Sequence, residues 1–125
     1  MTAFIGRNAT DTIGFIHTES EEELTKWAVS LSKKYISIPT KAYDMSCGIG
    51  SSYTRLNYPA TLASEGNPLA DGGLPGELDP YVHGVNDTMW VDDKTRYSST
   101  DHMARFSELA IAYTVEQAGW DNKWN

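Results

Sequence analysis

A regular spacing of apolar residues between positions 21 and 35 predicts an amphipathic helix. Apolar side chains recur there every three or four residues, so that one face of a helix would carry all of them. Ser20 and Glu23 have the spacing of a capping box, in which each side chain accepts from the other's backbone N–H. Acidic residues open the segment and two lysines close it, in agreement with the helix dipole. The apolar positions are Leu24, Trp27, Ala28, Leu31 and Tyr35.

Three apolar segments around this helix predict strands. The first spans about residues 12–17, and the second spans about residues 36–44. Pro39 cannot donate to a ladder, so the second strand starts after it or lies at a sheet edge. The third, residues 58–63, is apolar on both faces and is expected in the centre of a sheet. Strand, helix and strand in this order favour a right-handed parallel crossover.

The remainder of the chain divides into a loop and a final helix. Residues 65–93 are dense in Gly, Pro, Asp and Asn, which predict turns and loop. Residues 101–118 again carry apolar side chains at helical spacing, with Ser99 or Thr100 to begin the helix and Gly119 to end it. We therefore predict one α/β domain over residues 1–125. The apolar positions of the last helix are Phe106, Leu109, Ala110 and Tyr113.

Charge and segment lengths exclude two classes of partner. The 125 residues carry a formal net charge of −7 and contain no basic stripe with interleaved aromatics, so no nucleic-acid partner is expected. A cationic group such as a peptide's amino terminus is compatible with the negative electrostatic potential that this net charge produces. No segment has the length of a membrane span, so no membrane partner is expected, and the N-terminus lacks the pattern of a signal peptide. Two triplets match the N-glycosylation acceptor pattern, which is common by chance: Asn8-Ala9-Thr10 and Asn86-Asp87-Thr88.

His83 is the strongest candidate for chemistry among the three histidines. It lies in the polar loop DPYVHGVNDT, where a neutral imidazole can bind zinc if a carboxylate such as Asp87 or Asp79 orients its other nitrogen. The alternative is an exposed loop histidine without a role, which is the more frequent case, and no HxxxH or CxxC pair accompanies it. His17 at a strand end and His102 in the first turn of the last helix are expected to face water.

Cys47 is the single cysteine, so the chain has neither an intrachain disulfide nor a multi-cysteine metal site. It lies in the small-residue loop SCGIGSSY, and a nucleophilic Cys–His pair is one interpretation. No protease signature surrounds it, and the loop has no phosphate-binding motif. The residues alone therefore assign no role to this cysteine.

Four segments together resemble the C-terminal end of fungal and bacterial leucine aminopeptidases, which use two zinc ions. The most specific is GELDPYVHGVNDTMWVDD, in which His83, Asp87 and Thr88 match the family's histidine followed four residues later by Asp-Thr. The segments IGFIHTESEEELTKWAVSLSKKY and LNYPATLASEGNP resemble the preceding strand, helix and glutamate-ended strand. DHMARFSELAIAYTVEQAGW resembles the helix that follows. The resemblance covers nearly the whole chain.

This resemblance implies a partial doubly wound α/β fold, with a mostly parallel sheet flanked by helices, and a zinc-dependent exopeptidase that releases N-terminal residues from peptides. In the family a His, a bridging Asp, a Glu, a second Asp and a final His hold the two zinc ions, and another Glu is the general base. Only the final histidine maps here, onto His83, with Asp87 as the carboxylate that orients it. None of the family's catalytic residues has a counterpart in this chain. The second Asp would precede Met1, so we expect an N-terminal half to be absent from this chain.

Further positions fall on the family's substrate pocket. In bacterial members two cysteines form a disulfide with a tyrosine between them. Here Cys47 falls on the second cysteine, Tyr43 on the first and Met45 on the tyrosine, so a transition-state hydrogen bond from that tyrosine would be lost. The positions that the resemblance places at the pocket are Met1, Met45, Cys47 and Leu62.

Two functions remain open at this point. One is a truncated portion of a zinc aminopeptidase, inactive by itself, which acts on peptides where a complete site forms and which is secreted as the resemblance implies. The other is a non-catalytic binding or interaction module derived from that fold. In both cases the missing half would leave an unpaired sheet edge, through which we expect self-association.

Overall fold

A small sheet and two long helices make up the part of the chain that the structure describes. The computed structural model describes residues 11–18, 20–44, 53–66, 84–86, 88 and 99–119. No helix within these ranges is long and apolar enough to cross a membrane. The predicted α/β class is confirmed. The elements are β1 (Ile13–Ile16), α1 (Glu22–Tyr35), β2 (Thr40–Tyr43), β3 (Leu62–Ser64) and α2 (Thr100–Ala118).

The three strands form a mixed sheet in the order β2–β1–β3. β1 and β2 are parallel, as the strand–helix–strand order predicts, whereas β3 is antiparallel to β1. The predicted central place of the third strand is wrong. β1 is the central strand, and all four of its residues are buried, whereas the residues of β3 are only half-buried. β3 also begins later than predicted, because Asn57 has φ +61 and Pro59 follows, so the chain turns there.

One face of the sheet carries the core. Alternate residues of a strand point to opposite faces, and Ile13, Phe15 and Ala63 share the face against which α1 and α2 pack. The two helices also meet each other, because the rings of Trp27 and Tyr113 lie edge to face with centroids 4.9 Å apart. The buried core residues are Ile13, Phe15, Ala28, Leu31, Ile36 and Leu109.

Helix α1 begins with a different cap from the one predicted. The side chain of Glu21 accepts from the backbone N–H of Glu23 and of Leu24, so Glu21 is the N-cap and the predicted capping box of Ser20 and Glu23 is wrong. The N-cap therefore lies one residue later than the capping box predicted. The anionic carboxylate also lies at the positive end of the helix dipole.

The buried face of α1 includes hydroxyl groups that the apolar pattern did not mark. Thr25 and Ser32 are buried together with Ala28 and Leu31, and Tyr35 at the end of the predicted stripe is exposed. The hydroxyl of Thr25 bonds to the Thr61 hydroxyl at 2.9 Å. That of Ser32 bonds to the Thr40 hydroxyl at 2.8 Å. These bonds satisfy the hydroxyls and tie the helix to β2 and to the residue before β3.

Helix α2 has the predicted ends but a shifted buried face. The Ser99 hydroxyl accepts from the His102 N–H, and Gly119 follows the last residue with φ +75. Leu109 is buried as predicted, but Ala110 is exposed, and His102 and Ala112 are buried in its place. His102, Leu109 and Ala112 are separated by seven and three residues, so they lie on the same face of the helix. Ala110 is rotated by about 100° around the helix axis from Leu109.

Candidate functional site

The carboxyl ends of β1 and β2 meet at one edge of the sheet, and ligands of open α/β folds bind at such edges. His17 directly follows β1, and its N–H donates to the carbonyl of Tyr43 at 2.8 Å. Because β3 runs the opposite way, its first residue Leu62 lies opposite Ile16 at this same edge. His17 is exposed there, as predicted. The edge formed by His17, Tyr43 and Leu62 is the candidate site.

A groove of about 320 Å³ lies beside the candidate site. It runs between the two helices and the segment that leads into β3, and half-buried Leu62 forms part of its wall. Leu24, Pro59 and Tyr113 provide further apolar lining. Leu62 therefore lies where a small apolar group could be held. Its predicted role in a substrate pocket stays a prediction.

The strand that leads to the candidate site accepts no side chain at Gly14. A Cβ atom there would lie 2.6 and 2.8 Å from two ring carbons of Tyr43 and 3.2 Å from the carbonyl oxygen of Gly66. Real Cβ contacts are essentially never that short, so glycine at this position allows the Tyr43 ring to cover β1. The packing of Tyr43, whose carbonyl binds the His17 N–H, thus depends on Gly14.

A buried histidine lies near the opposite end of β1. The side chain of His102 is fully buried, and its Nδ1 is 2.5 Å from Oδ1 of Asp11. Its ring meets Phe106 edge to face with a centroid distance of 5.4 Å. The prediction that His102 faces water is wrong, because its ring lies against Phe106 and its Nδ1 contacts Asp11, just before β1. The signal was present in the sequence, since His102 is four residues before Phe106 and so lies on the same helix face.

A zinc ion does not fit the residues that the structure describes. Among them, no group of three or more His, Cys, Asp and Glu side chains could hold a metal ion. Exposed His17 lies at one end of β1, and His102 is engaged by Asp11 at the other. The other predicted site residues lie outside the described residues. They are the metal ligand His83, its partner Asp87 and the pocket residues Met1, Met45 and Cys47.

The described residues that follow His83 form an exposed turn. Gly84, Val85, Asn86 and Thr88 are all exposed, and Val85 reaches 95% exposure. The N–H of Thr88 donates to the carbonyl of Asn86 at 2.8 Å. Thr88, which matches the aminopeptidase motif, thus lies at the protein surface.

Two fungal leucine aminopeptidases are similar to this chain in sequence. A probable leucine aminopeptidase of Arthroderma otae is 26% identical over 122 residues, which are 94% of this chain and 29% of that protein. A probable leucine aminopeptidase 1 of Trichophyton verrucosum is 31% identical over 109 residues, which are 84% of this chain and 25% of that protein. The chain is related to one segment of the leucine aminopeptidases. It spans 25–29% of the length of these two relatives.

Solved aminopeptidase structures extend the relationship to the fold. The LapA aminopeptidase of Legionella pneumophila superimposes with a TM-score of 0.73 at 25% identity, over 96% of this chain and 30% of LapA. LapB of the same organism gives a TM-score of 0.68 at 23% identity, over 89% of this chain and 27% of LapB, and supports the fold alone. No protein-family model matches the sequence. The resemblance to leucine aminopeptidases is confirmed.

Proposed function

We propose that this chain is a portion of a zinc-dependent aminopeptidase, which releases N-terminal residues from peptides when further residues complete its site. Similarity to leucine aminopeptidases over 94% of the chain in sequence and to LapA over 96% of the chain in fold carries this proposal. The chain spans no more than 30% of those proteins, so most of the site would come from elsewhere. The same resemblance supports secretion of the whole protein.

His83 is the residue that we propose as a zinc ligand, with Asp87 orienting its imidazole. Metal affinity requires several converging ligands, each held by its own neighbours. One imidazole does not provide this, so the isolated chain should bind zinc weakly and should not hydrolyse aminoacyl substrates. The proposed pocket residues are Met1, Met45, Cys47 and Leu62.

Two proteins, the isolated chain and a chimera, test the proposal with leucine p-nitroanilide and added zinc. The chain alone should show no turnover. A chimera in which the preceding segment of the Trichophyton verrucosum relative is joined to Met1 should turn the substrate over, and His83→Ala should abolish that turnover. Lys33→Ala, in the exposed last turn of α1 and outside the candidate site, is the control and should leave it unchanged. Turnover by the isolated chain that disappears in His83→Ala would contradict the proposal, because it would mean that the chain completes the site by itself.

The second candidate is a non-catalytic binding module. Two observations favour it. The groove beside Leu62 could hold a ligand, and only one of the family's zinc ligands has a counterpart in this chain, His83. A folded chimera that has no turnover, and whose properties do not change in His83→Ala, would decide for this candidate. Peptide binding that is lost in Leu62→Asp would then locate the binding site in the groove.

We further propose that the chain self-associates through the outer edge of β2, with a second copy as the partner. The carbonyl of Pro39 accepts a hydrogen bond from the N–H of Ile13 in β1. The carbonyl of Tyr43 accepts one from the N–H of His17. Since backbone groups alternate in direction along a parallel strand, Thr40 and Ala42 direct their N–H and C=O groups away from β1. Ala42 is exposed. A strand of a second copy can pair with these groups.

A further inference from the structure

A second cavity adjoins the groove beside Leu62 and lies between the start of α1 and the turn at residues 53–58. Its volume of about 460 Å³ falls within the range of ~300–1,000 Å³ that is usual for ligand sites. Polar and aromatic residues and one proline form its wall, and the aminopeptidase proposal does not use it. The lining residues are Ser20, Glu21, Thr54, Asn57, Tyr58 and Pro59.

Hydrogen bonds hold the two walls of this cavity in place. The backbone N–H of Glu21 donates to the carbonyl of Ala60 at 2.8 Å, which fixes the start of α1 against the chain that follows the turn. Within the turn, the carbonyl of Tyr53 accepts from the N–H of Tyr58 at 3.0 Å, and Asn57 has φ +61. Because backbone hydrogen bonds form the cavity before any ligand arrives, binding requires little further ordering.

Glu21 provides the negative charge in the wall of the cavity. Its carboxylate accepts from the N–H groups of Glu23 and Leu24, and a carboxylate has about four acceptor positions. Within the described part of the chain, two of these positions are therefore used, and two further donors can be bound. The charges of Glu22 and Glu23 are balanced by Lys26, which contacts both. Glu21 is thus the carboxylate of this cavity that can bind a cation.

Tyr58 adds an aromatic ring to the same wall. It is 63% exposed and lines the cavity together with Glu21. A guanidinium is planar, stacks on aromatic rings and donates two parallel hydrogen bonds to a carboxylate. Arg55, the cationic residue of this turn, is not part of the wall. The net charge of −7 on the whole chain also favours a cationic ligand.

We propose that this cavity binds the side chain of an arginine in a peptide. The guanidinium donates two hydrogen bonds to the Glu21 carboxylate, its plane stacks on the Tyr58 ring, and its alkyl part contacts Pro59. A lysine ammonium forms the ion pair but neither stacks in this way nor donates two parallel bonds. Arginine should therefore bind more tightly than lysine.

The place of the cavity in the fold connects it to the candidate site. Glu21 is four positions after His17, and Pro59 lines both this cavity and the groove beside Leu62. A peptide whose first side chain occupies the groove can therefore place a following side chain in the cavity. The complete aminopeptidase would then favour peptides with an arginine close to the amino terminus. This preference rests on the proposed function, whereas binding of the guanidinium does not.

Nuclear magnetic resonance titration of the 125-residue chain tests the site. The probes are the N-acetyl amides of arginine and of citrulline, whose side chains have nearly the same shape but differ in charge. The arginine probe should shift the signals of Glu21, Asn57 and Tyr58, and its dissociation constant should be at least about tenfold lower than that of the citrulline probe. Equal binding of the two probes, or of the arginine probe and its lysine counterpart, would overturn the proposal.

Three variants locate the interaction in the cavity. Glu21→Gln should weaken binding of the arginine probe at least about tenfold, and Tyr58→Leu should weaken it about twofold to fivefold. Glu22→Gln removes the same charge one position along the helix and outside the wall, so it is the matched control. At physiological salt it should change the affinity less than about twofold. Equal losses in Glu21→Gln and Glu22→Gln would mean that net charge alone attracts the probe, and the proposal would fail.

Glu21 also caps α1, so the fold of Glu21→Gln is checked by circular dichroism. Tyr58→Leu tests the site without changing the cap, because the Tyr58 side chain is exposed and lies in the opposite wall. Unchanged affinity in Tyr58→Leu would overturn the stacking of the guanidinium on this ring. None of these measurements uses zinc or turnover, so failure here and failure of the aminopeptidase proposal are separate results.

Discussion

Nδ1 of His102 lies 2.5 Å from Oδ1 of Asp11, and this contact joins the first turn of α2 to the residue two positions before β1. The two residues are 91 positions apart in the chain. The His102 side chain is fully buried, and that of Asp11 is 40% exposed. A buried ring nitrogen without its partner would carry the cost of lost hydration, so the pair holds the last helix against the sheet.

His102→Ala should lower the free energy of unfolding by ~2–4 kcal/mol, because it removes a buried ring and one hydrogen bond of the pair. Urea unfolding followed by circular dichroism measures the change. His17→Ala replaces an exposed histidine at the other end of β1, so it is the matched control and should change the stability by no more than about 0.5 kcal/mol. Equal effects of the two substitutions would contradict the buried position of His102.

A double-mutant cycle isolates the contact itself. Asp11→Ala and His102→Ala should couple by about 0.5–3 kcal/mol, the range for residues in direct contact. Additive effects would mean that the ring stabilises the chain through packing against Phe106 and not through Asp11.

Gly14→Ala should destabilise the chain by ~1–3 kcal/mol, since the added methyl overpacks against the Tyr43 ring. Tyr43→Ala in the same chain should recover part of this loss. Gly119→Ala is a useful contrast, because its Cβ would meet nothing within 4 Å while φ is +75. Its cost of about 1–3 kcal/mol comes from the backbone conformation, since φ +75 with ψ 155 is a region that essentially only glycine adopts, and Tyr43→Ala should not recover it. Thermal unfolding of these four variants and of Tyr43→Ala alone separates the two causes.

Glu116 should add to stability at neutral pH and lose its contribution in acid. A hydrogen bond from Lys34, with Nζ 2.8 Å from Oε1, and one from the Tyr35 hydroxyl lower the pKa of the Glu116 carboxyl in the folded state. The contribution is therefore present above the ordinary pKa of 4.5 and is lost as the pH falls through the lowered pKa. The pair is exposed, so salt should weaken it.

Urea unfolding of wild type and Glu116→Gln at pH 7 and at about pH 3 checks this expectation. The wild type should be the more stable protein at pH 7, and the two curves should approach each other in acid and in high salt. A difference that grows on acidification would show that the carboxylate is not stabilised in the folded state.

Ala42→Pro should shift the chain from dimers or larger species towards monomer. The Ala42 N–H points away from β1, so proline removes a group of the outer edge without removing a β1–β2 hydrogen bond. Lys41→Pro is the contrasting variant, because the Lys41 N–H points towards β1 and its loss should weaken the fold. Sedimentation velocity over a range of concentrations gives the result. A wild-type chain that remains monomeric at high concentration would contradict the edge proposal.

The sequence predicted the elements that depend on local patterns. The spacing of Ala28 and Leu31 located α1, and Ser99 and Gly119 located the ends of α2, because helices and caps are set by residues within a few positions. The cap at Glu21 was missed because the neighbouring Ser20 is the more usual capping residue and has a glutamate three positions later. The place of β3 depends on pairing with a distant strand, which no local pattern specifies.

The candidate site, like the fold, could be predicted from the sequence only where local patterns determine it. The position of Leu62 at the carboxyl edge follows from the antiparallel pairing of β3, which the sequence pattern did not predict. The spacing of His102 from Phe106 indicated the buried face of α2, but its partner Asp11 lies 91 positions away, and no local pattern predicts that contact. The assignment of His83 to a metal rests on the motif that it shares with aminopeptidases, and it stays a prediction.

The separation between Asp11 and His102 also sets an order of events on the ribosome. The crossover of β1, α1 and β2 is complete within the first 43 residues, so its parallel pair can form early, over short loops. The partner of Asp11 follows 91 residues later, after roughly 5–20 s at the usual rates of synthesis. During that interval the part of the apolar face that α2 will cover is open to water. The nascent chain thus keeps this part of its apolar face uncovered until α2 has emerged.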